Sequence, residues 1–461
     1  EEKKTVYGYL LPEKGWDVEF TWHNKDEEYV INSTDATDRE GVLRPENMRA
    51  KAAVSLIKTE PASGSAIEGA RFGIYTRNDI YNADGQKIVE AGTLLGTVST
   101  DADGRAAPDL DLPLMGQGYT APATGGSFTP AAATAGPSPE ILAGSSAAIS
   151  SGTAGINSGD YYMKELAVSG SYFLGAQEYP FHLEYQGERT AVVNAEIHAE
   201  NTPTTTTISK QSVTGSSELD GCHLKVTDEK GNTIVSWVSG ERESVSLKDG
   251  LESMGYSHVA ASLDKNGHLQ VKGLLHDTTY TLTETRPADG YVTADSISFQ
   301  VIEGEGGKSL VAIVGENGDM ELQQDDMVRM VDEQTHIRLI KLDAGTGQGL
   351  KGARIAVYDS HGKKVMEFKS SEDGNDITGK LAVGETYTFK ETEAPRGYKL
   401  AAPVKLTIKD TAKVQKVSMT DEKEDTPPTP PQTGDGFPFP LALAFVSAAG
   451  YAFLLIRSRK A

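Results

Sequence analysis

Three lysines, three glutamates and three Asn or Asp residues recur in one order along this 461-residue chain. Lys58, Lys210 and Lys341 each stand eleven residues before a glycine and a small residue: Gly69-Ala70, Gly221-Cys222 and Gly352-Ala353. Glu165, Glu284 and Glu391 follow, each in a stretch of alternating apolar and polar residues, and Asn201, Asp332 and Asp421 close the three copies. The groups on offer are an amine, a carboxyl and a second carboxyl or amide. Singly, such residues on strands face solvent or make ion pairs of small energetic weight. Their recurrence in fixed order at equivalent places indicates that they act together. Little other chemistry is legible. The nine histidines form no HExxH and no metal-ligand spacing with cysteine, so no metal or other cofactor is expected. The glycine-rich Glu303–Gly307 reads as a turn rather than a phosphate loop, because no helix signal follows it. Cys222 takes the place of Ala70 and Ala353 and reads as a small core residue. Trp16, Trp22 and Trp237 are scattered and read as core, and no substrate-turnover site is evident.

The elements that would carry these residues read as strands. The copies open VSLIKTEPASGSAIEGARFGIY (54–75), TTISKQSVTGSSELDGCHLKV (206–226) and IRLIKLDAGTGQGLKGARIAVYD (337–359). Turn formers fill the interval from lysine to glycine and the flanks alternate, which is strand, turn, strand. The glutamates sit in YYMKELAVSGSY (161–172), YTLTETRPADGY (280–291) and YTFKETEAPRGY (387–398). Many short strands with almost no helical periodicity predict an all-β chain of tandem antiparallel sandwiches. Their bounds are about 50–203, 204–334 and 335–424, the first with an Ala/Gly/Ser/Thr/Pro-rich insertion at about 105–160. That insertion has too little apolar volume to fold and is expected to be a flexible surface loop. Residues 1–48 read as the end of an upstream module, with Asn47 near the place of the closing Asn or Asp, or as an irregular N-terminal β region. A single cysteine excludes an intrachain disulfide, so another cross-link is expected to stand in for one. The net charge of −22 argues against a nucleic-acid partner.

Lysine, glutamate and Asn/Asp in this order resemble the Cna-B or SpaA-type prealbumin-like domains of Gram-positive adhesins and pilins. The resemblance spans about residues 50–424. Copy one departs in having Val168 where the glutamate strand usually has proline, and copy two in having Ser212 where copy three has Asp343. The family implies an isopeptide bond inside each core: Lys58–Asn201 promoted by Glu165, Lys210–Asp332 by Glu284, and Lys341–Asp421 by Glu391. Burial disfavours both ammonium and carboxylate, favouring a nucleophilic amine and a protonated glutamate that polarises the side-chain carbonyl. Ammonia leaves from Asn201 and water from the aspartates, once per molecule, without turnover.

The end of the chain carries a second resemblance. Residues 437–456 are uncharged and long enough as a helix to cross a bilayer, and the basic tail 457–461 places that end in the cytoplasm. The Pro-rich linker 425–436 before it contains Pro431-Gln432-Thr433-Gly434. This order is similar to an LPxTG-type sortase sorting signal, with Pro430 where the family has leucine. It implies cleavage after Thr433, transfer to a peptidoglycan precursor, and transient membrane insertion. The N-terminus EEKKTVYGYL holds no signal peptide, so the chain is expected to be a fragment or mature form of a longer exported protein. Together these resemblances imply a secreted, wall-anchored Gram-positive surface protein with a cross-linked stalk for adhesion or display. Its expected partners are sortase, the wall precursor and a host ligand or pilin subunits. A backbone or ancillary pilin subunit is one alternative, although LLPEKG around Lys14 matches the polymerisation motif poorly. The stalk of a surface enzyme whose catalytic domain lies upstream is the other.

Overall fold

The computed structural model describes residues 2–424 except 6, 14, 16–18, 22–29, 33–46, 83, 118–156, 216 and 257. Among these residues all regular structure is β apart from three short 3-10 turns. The strands form where the sequence alternates. His336–Asp343, HIRLIKLD, buries every second residue, as a strand with one face on a core must.

Three units repeat one plan of two facing sheets. In the first, Lys51–Thr59 is the middle of a three-stranded sheet between Val192–Glu200 and Arg105–Ala106. The facing sheet runs in the order Glu178–His182, Asp160–Ala167, Arg71–Thr76, Leu94–Ser99. In the second, Thr205–Ser212 lies between Leu269–Lys272 and Met327–Asp332, opposite a seven-stranded sheet. In the third, His336–Asp343 lies between Asn375–Thr378 and Gln415–Asp421, opposite a four-stranded sheet. Each unit has its own apolar core, led by Phe72 and Tyr161 in the first, Tyr280 and Phe299 in the second, and Phe389 in the third. Each such side chain contributes about 1.5–3 kcal/mol through burial.

Two expectations need correction. The sandwiches are not wholly antiparallel, because the first strand of every unit pairs in parallel with its last. A parallel pair needs a long crossover, and here almost the whole unit serves as one. Nor is the insertion of the first unit loose from 105 to 160. Arg105–Ala106 pairs with the lysine strand, and Leu112, Leu114, Gln117 and Asn157 are buried. Asn157 Nδ2 donates to Gln117 O at 2.6 Å and so ties the two ends of the insertion together. The leucines supply the apolar volume that average composition conceals.

Near the N-terminus, Leu10 enters the first core, and Gln117 Nε2 donates to the carbonyls of Gly8 and Ala50. Asn47 donates to Glu2 and Thr5 in a partly exposed position. Glu19–Thr21 and Val30–Asn32 form an antiparallel pair. No helix among the described residues is long and apolar enough to cross a membrane. The expected span 437–456, the linker and sorting motif 425–436, the tail 457–461, and Lys14, Trp16 and Trp22 lie outside the described residues.

Candidate functional site

The parallel pairing sets the first two members of each site. Lys58 faces Ala199, Lys210 faces Met330 and Lys341 faces Met419. Asn201, Asp332 and Asp421 stand two residues further on. A two-residue step returns a side chain to the same face of the sheet, so lysine and partner both point into the core. The glutamate arrives from the facing sheet. Glu165 pairs with Phe72, Glu284 with Leu224 and Glu391 with Ile355, each at a bulge in which the residue after the glutamate is skipped. Such a bulge re-aims the neighbouring side chains.

All nine residues are buried. Lys58 Nζ donates to Asn201 Oδ1 at 2.5 Å and lies 3.3 Å from Glu165 Oε1. Lys210 Nζ contacts Asp332 Oδ1 and lies 3.1 Å from Glu284 Oε1. Lys341 Nζ contacts Asp421 Oδ1 and lies 3.2 Å from Glu391 Oε2. Asn201 Nδ2 donates to Glu165 Oε2 at 2.9 Å and to Phe173 O at 3.0 Å. The Lys58 amine also sits 5.5 Å from the centre of the Phe72 ring.

Burial dominates the electrostatics. Loss of solvent pulls Lys58 below the usual lysine range, against the opposing pull of Glu165. It pushes Glu391 up, and the neighbouring Asp421 adds to the rise. Asp332 is pushed up to about 6, chiefly by burial, although Lys210 opposes the shift. Two carboxyls beside one amine in a dry core cannot all carry charge at low cost. In the third site Glu391 Oε1 and Asp421 Oδ2 receive no hydrogen bond from any described group. A proton held between the two carboxyls would satisfy both.

The nine residues named from the sequence meet in three clusters, and a backbone donor that no side chain betrays holds each glutamate. Each glutamate accepts a backbone N–H from the residue ten positions later: Gly175 on Glu165, Ala294 on Glu284 and Ala401 on Glu391, all at 2.7 Å. A tyrosine seven residues after each glutamate bridges to the closing segment: Tyr172 to Pro203, Tyr291 to Gln334 and Tyr398 to Lys423. Tyr172 and Tyr398 also donate their hydroxyls to Glu60 and Asp343, the acids two residues past the lysine, whereas Ser212 in the second unit bonds to Thr214. The constant interval from glutamate to tyrosine was the available signal. Cys222 is buried as expected, yet its Sγ also lies 3.8 Å from Asp332 Oδ2. Burial and Glu284 push its thiol up to about 12. Cys222, Glu284 and Asp332 offer clustered ligand atoms, but the Lys210 amine already contacts both carboxyls.

Comparison with known proteins matches two of the three units to one family model. Residues 204–315 and 335–423 match the family described as SpaA, prealbumin-like fold domain. Both stretches are prealbumin-like domains, arranged in tandem. The first unit repeats their parallel register and buried triad. Among solved structures, the Bacillus anthracis TIE protein is 17% identical, with 82% of this chain and 52% of that chain covered and a TM-score of 0.32. This chain therefore spans about half the length of that protein. BcpA, the major pilin subunit of Bacillus cereus, is 15% identical over 81% of this chain and 100% of that one, with a TM-score of 0.28. A streptococcal ancillary pilin is 16% identical over 82% of this chain and 100% of that one, with a TM-score of 0.29. No curated protein matches the sequence.

Proposed function

We propose that each unit welds its first strand to its last through an isopeptide bond, and that the chain serves as a mechanically stable stalk on a Gram-positive cell surface. The bonds are Lys58–Asn201, Lys210–Asp332 and Lys341–Asp421, promoted by Glu165, Glu284 and Glu391. The observation that carries this reading is the buried amine, carboxyl and Asn/Asp side chain meeting at the same register in three units.

In each unit the neutral lysine amine attacks the side-chain carbonyl carbon. The glutamate beside the side chain under attack hands a proton to the departing group. One proton from Nζ balances the loss of ammonia from Asn201, or of water from Asp332 and Asp421. Fixed contact between the groups replaces a bimolecular encounter and lowers the barrier by up to roughly 7–11 kcal/mol. The joined residues are 143, 122 and 80 positions apart. Closing such loops contributes about 4–5 kcal/mol each by analogy with a disulfide.

The intact mass of the purified chain tests this directly. It should fall below the sequence mass by one ammonia and two waters, and an unmodified mass would refute all three bonds. The sorting signal around Thr433 adds the mode of attachment: a sortase transfers Thr433 to a wall precursor, which leaves the stalk outside the cell for adhesion or display. Release of the protein by muramidase but not by detergent would support wall attachment, and release by detergent alone would refute it.

A further inference from the structure

In the first two units the loop between the glutamate and its backbone donor is also where one unit meets the next. In the first unit, Ser171 Oγ donates to Gly273 O at 2.8 Å, and Gly170 O accepts the His276 N–H at 2.8 Å. The Phe173 ring is seated in the core cluster of the second unit, 5.5 Å from the His276 ring. The carbonyl of the same residue accepts Asn201 Nδ2 in the site of the first unit. Phe173 therefore has its side chain in one unit and its backbone acceptor in the other.

That acceptor matters because an amide has two ends. Glu165 Oε2 and Phe173 O take both N–H groups of Asn201, so Oδ1 is the end that faces Lys58. With the amide turned over, N–H groups would oppose the amine and the carbonyl would point away from it. Asp332 and Asp421 carry no such N–H, so only the first site has this requirement.

We propose that Phe173 is a positioning residue through which docking of the second unit orients the Asn201 amide for attack by Lys58. The inference rests on the cross-linking reading above. The step it assists forms the Nζ–Cγ bond and breaks the Cγ–Nδ2 bond, with one proton passing from Nζ to the departing ammonia. With the ring unseated, the carbonyl loses its fixed place and the amide samples both orientations.

The test follows the three cross-linked peptides by mass spectrometry during cell-free synthesis of the whole chain. Phe173→Ala should slow appearance of the Lys58–Asn201 peptide by about tenfold or more, as small misplacements of reacting groups do. Lys341–Asp421 should keep its parental rate, and Phe173→Leu, which restores an apolar anchor, should recover most of the loss. Leu275→Glu, made in the second unit where Leu275 packs against Gly170, should reproduce the defect and serves if Phe173→Ala fails to fold. An unchanged rate for Lys58–Asn201 in Phe173→Ala, with the other two bonds present in the parent, overturns the inference alone. Absence of every cross-link in the parent overturns the cross-linking reading and the inference with it.

Discussion

Tyr398 donates its hydroxyl to Asp343 at 2.7 Å, and Asp343 lies two residues past the lysine of the third site. That bond, with the N–H groups of Thr346 and Gly345, holds the Asp343 carboxyl down at about 2. A carboxyl depressed in the folded state stabilises above its unfolded pKa of about 3.9, and that contribution fades as pH falls through the folded value. Tyr398→Phe should therefore lower the melting temperature more at pH 7 than at pH 2. Thermal scans at the two pH values check this, and an equal drop at both would separate the hydroxyl from the titration.

Glu391→Ala should leave Lys341 and Asp421 unjoined, so that, beyond the change in residue mass, the variant keeps the one water that its parent loses. Losing a cross-link between residues 80 apart costs the third unit about 4 kcal/mol in the chain-entropy account. Intact mass and denaturant unfolding read the two effects. A variant that keeps its cross-link would remove the glutamate from the mechanism.

Asp421→Asn gives a sharper chemical signature. The amide loses ammonia where the acid loses water, so both chains should arrive at the same final mass and the same linked peptide. Different final masses would mean that the side-chain carbonyl of residue 421 is not where the bond forms.

Asn201→Ala should leave Lys58 free in its dry site. Burial lowers the Lys58 pKa in the folded state, so the unfolded chain binds more protons across the interval up to the ordinary lysine value. Stability of this variant should then rise with pH over that interval, measured by denaturant midpoints from pH 7 to 10. A fall over the same range would contradict the direction of the shift.

Cys222 should resist alkylation at pH 8 in the native protein and react once it is unfolded, because its thiol is buried and pushed up to about 12. Cys222→Ala should keep the Lys210–Asp332 bond, since Ala70 and Ala353 fill the same place in the other units. Fast native labelling would contradict the burial.

Much of the site was legible because its residues are costly to place by chance. A lysine inside an alternating strand, repeated at one spacing, identifies itself. The strand alternation around Lys341 and Glu391 likewise gave the β class. The parallel register of Lys341 against Met419 was not legible, because a pairing across nearly eighty residues leaves no local pattern. The donors Gly175, Ala294 and Ala401 were also invisible, since they act through backbone N–H groups and their side chains differ or are trivial. The built ends of the insertion were hidden because Leu112 and Leu114 are few among many small residues.

Because the first and last strands of each unit run side by side in one direction, the chain enters a unit at one end and leaves it at the other. With Lys58 joined to Asn201, tension arriving along Lys51–Thr59 would pass straight across to residue 201 and onward. The 143-position interval between them would never be paid out, which withholds roughly 500 Å of extensible contour from the load at about 3.5 Å per residue. Such a tether would transmit a tug from one end to the other almost without lengthening.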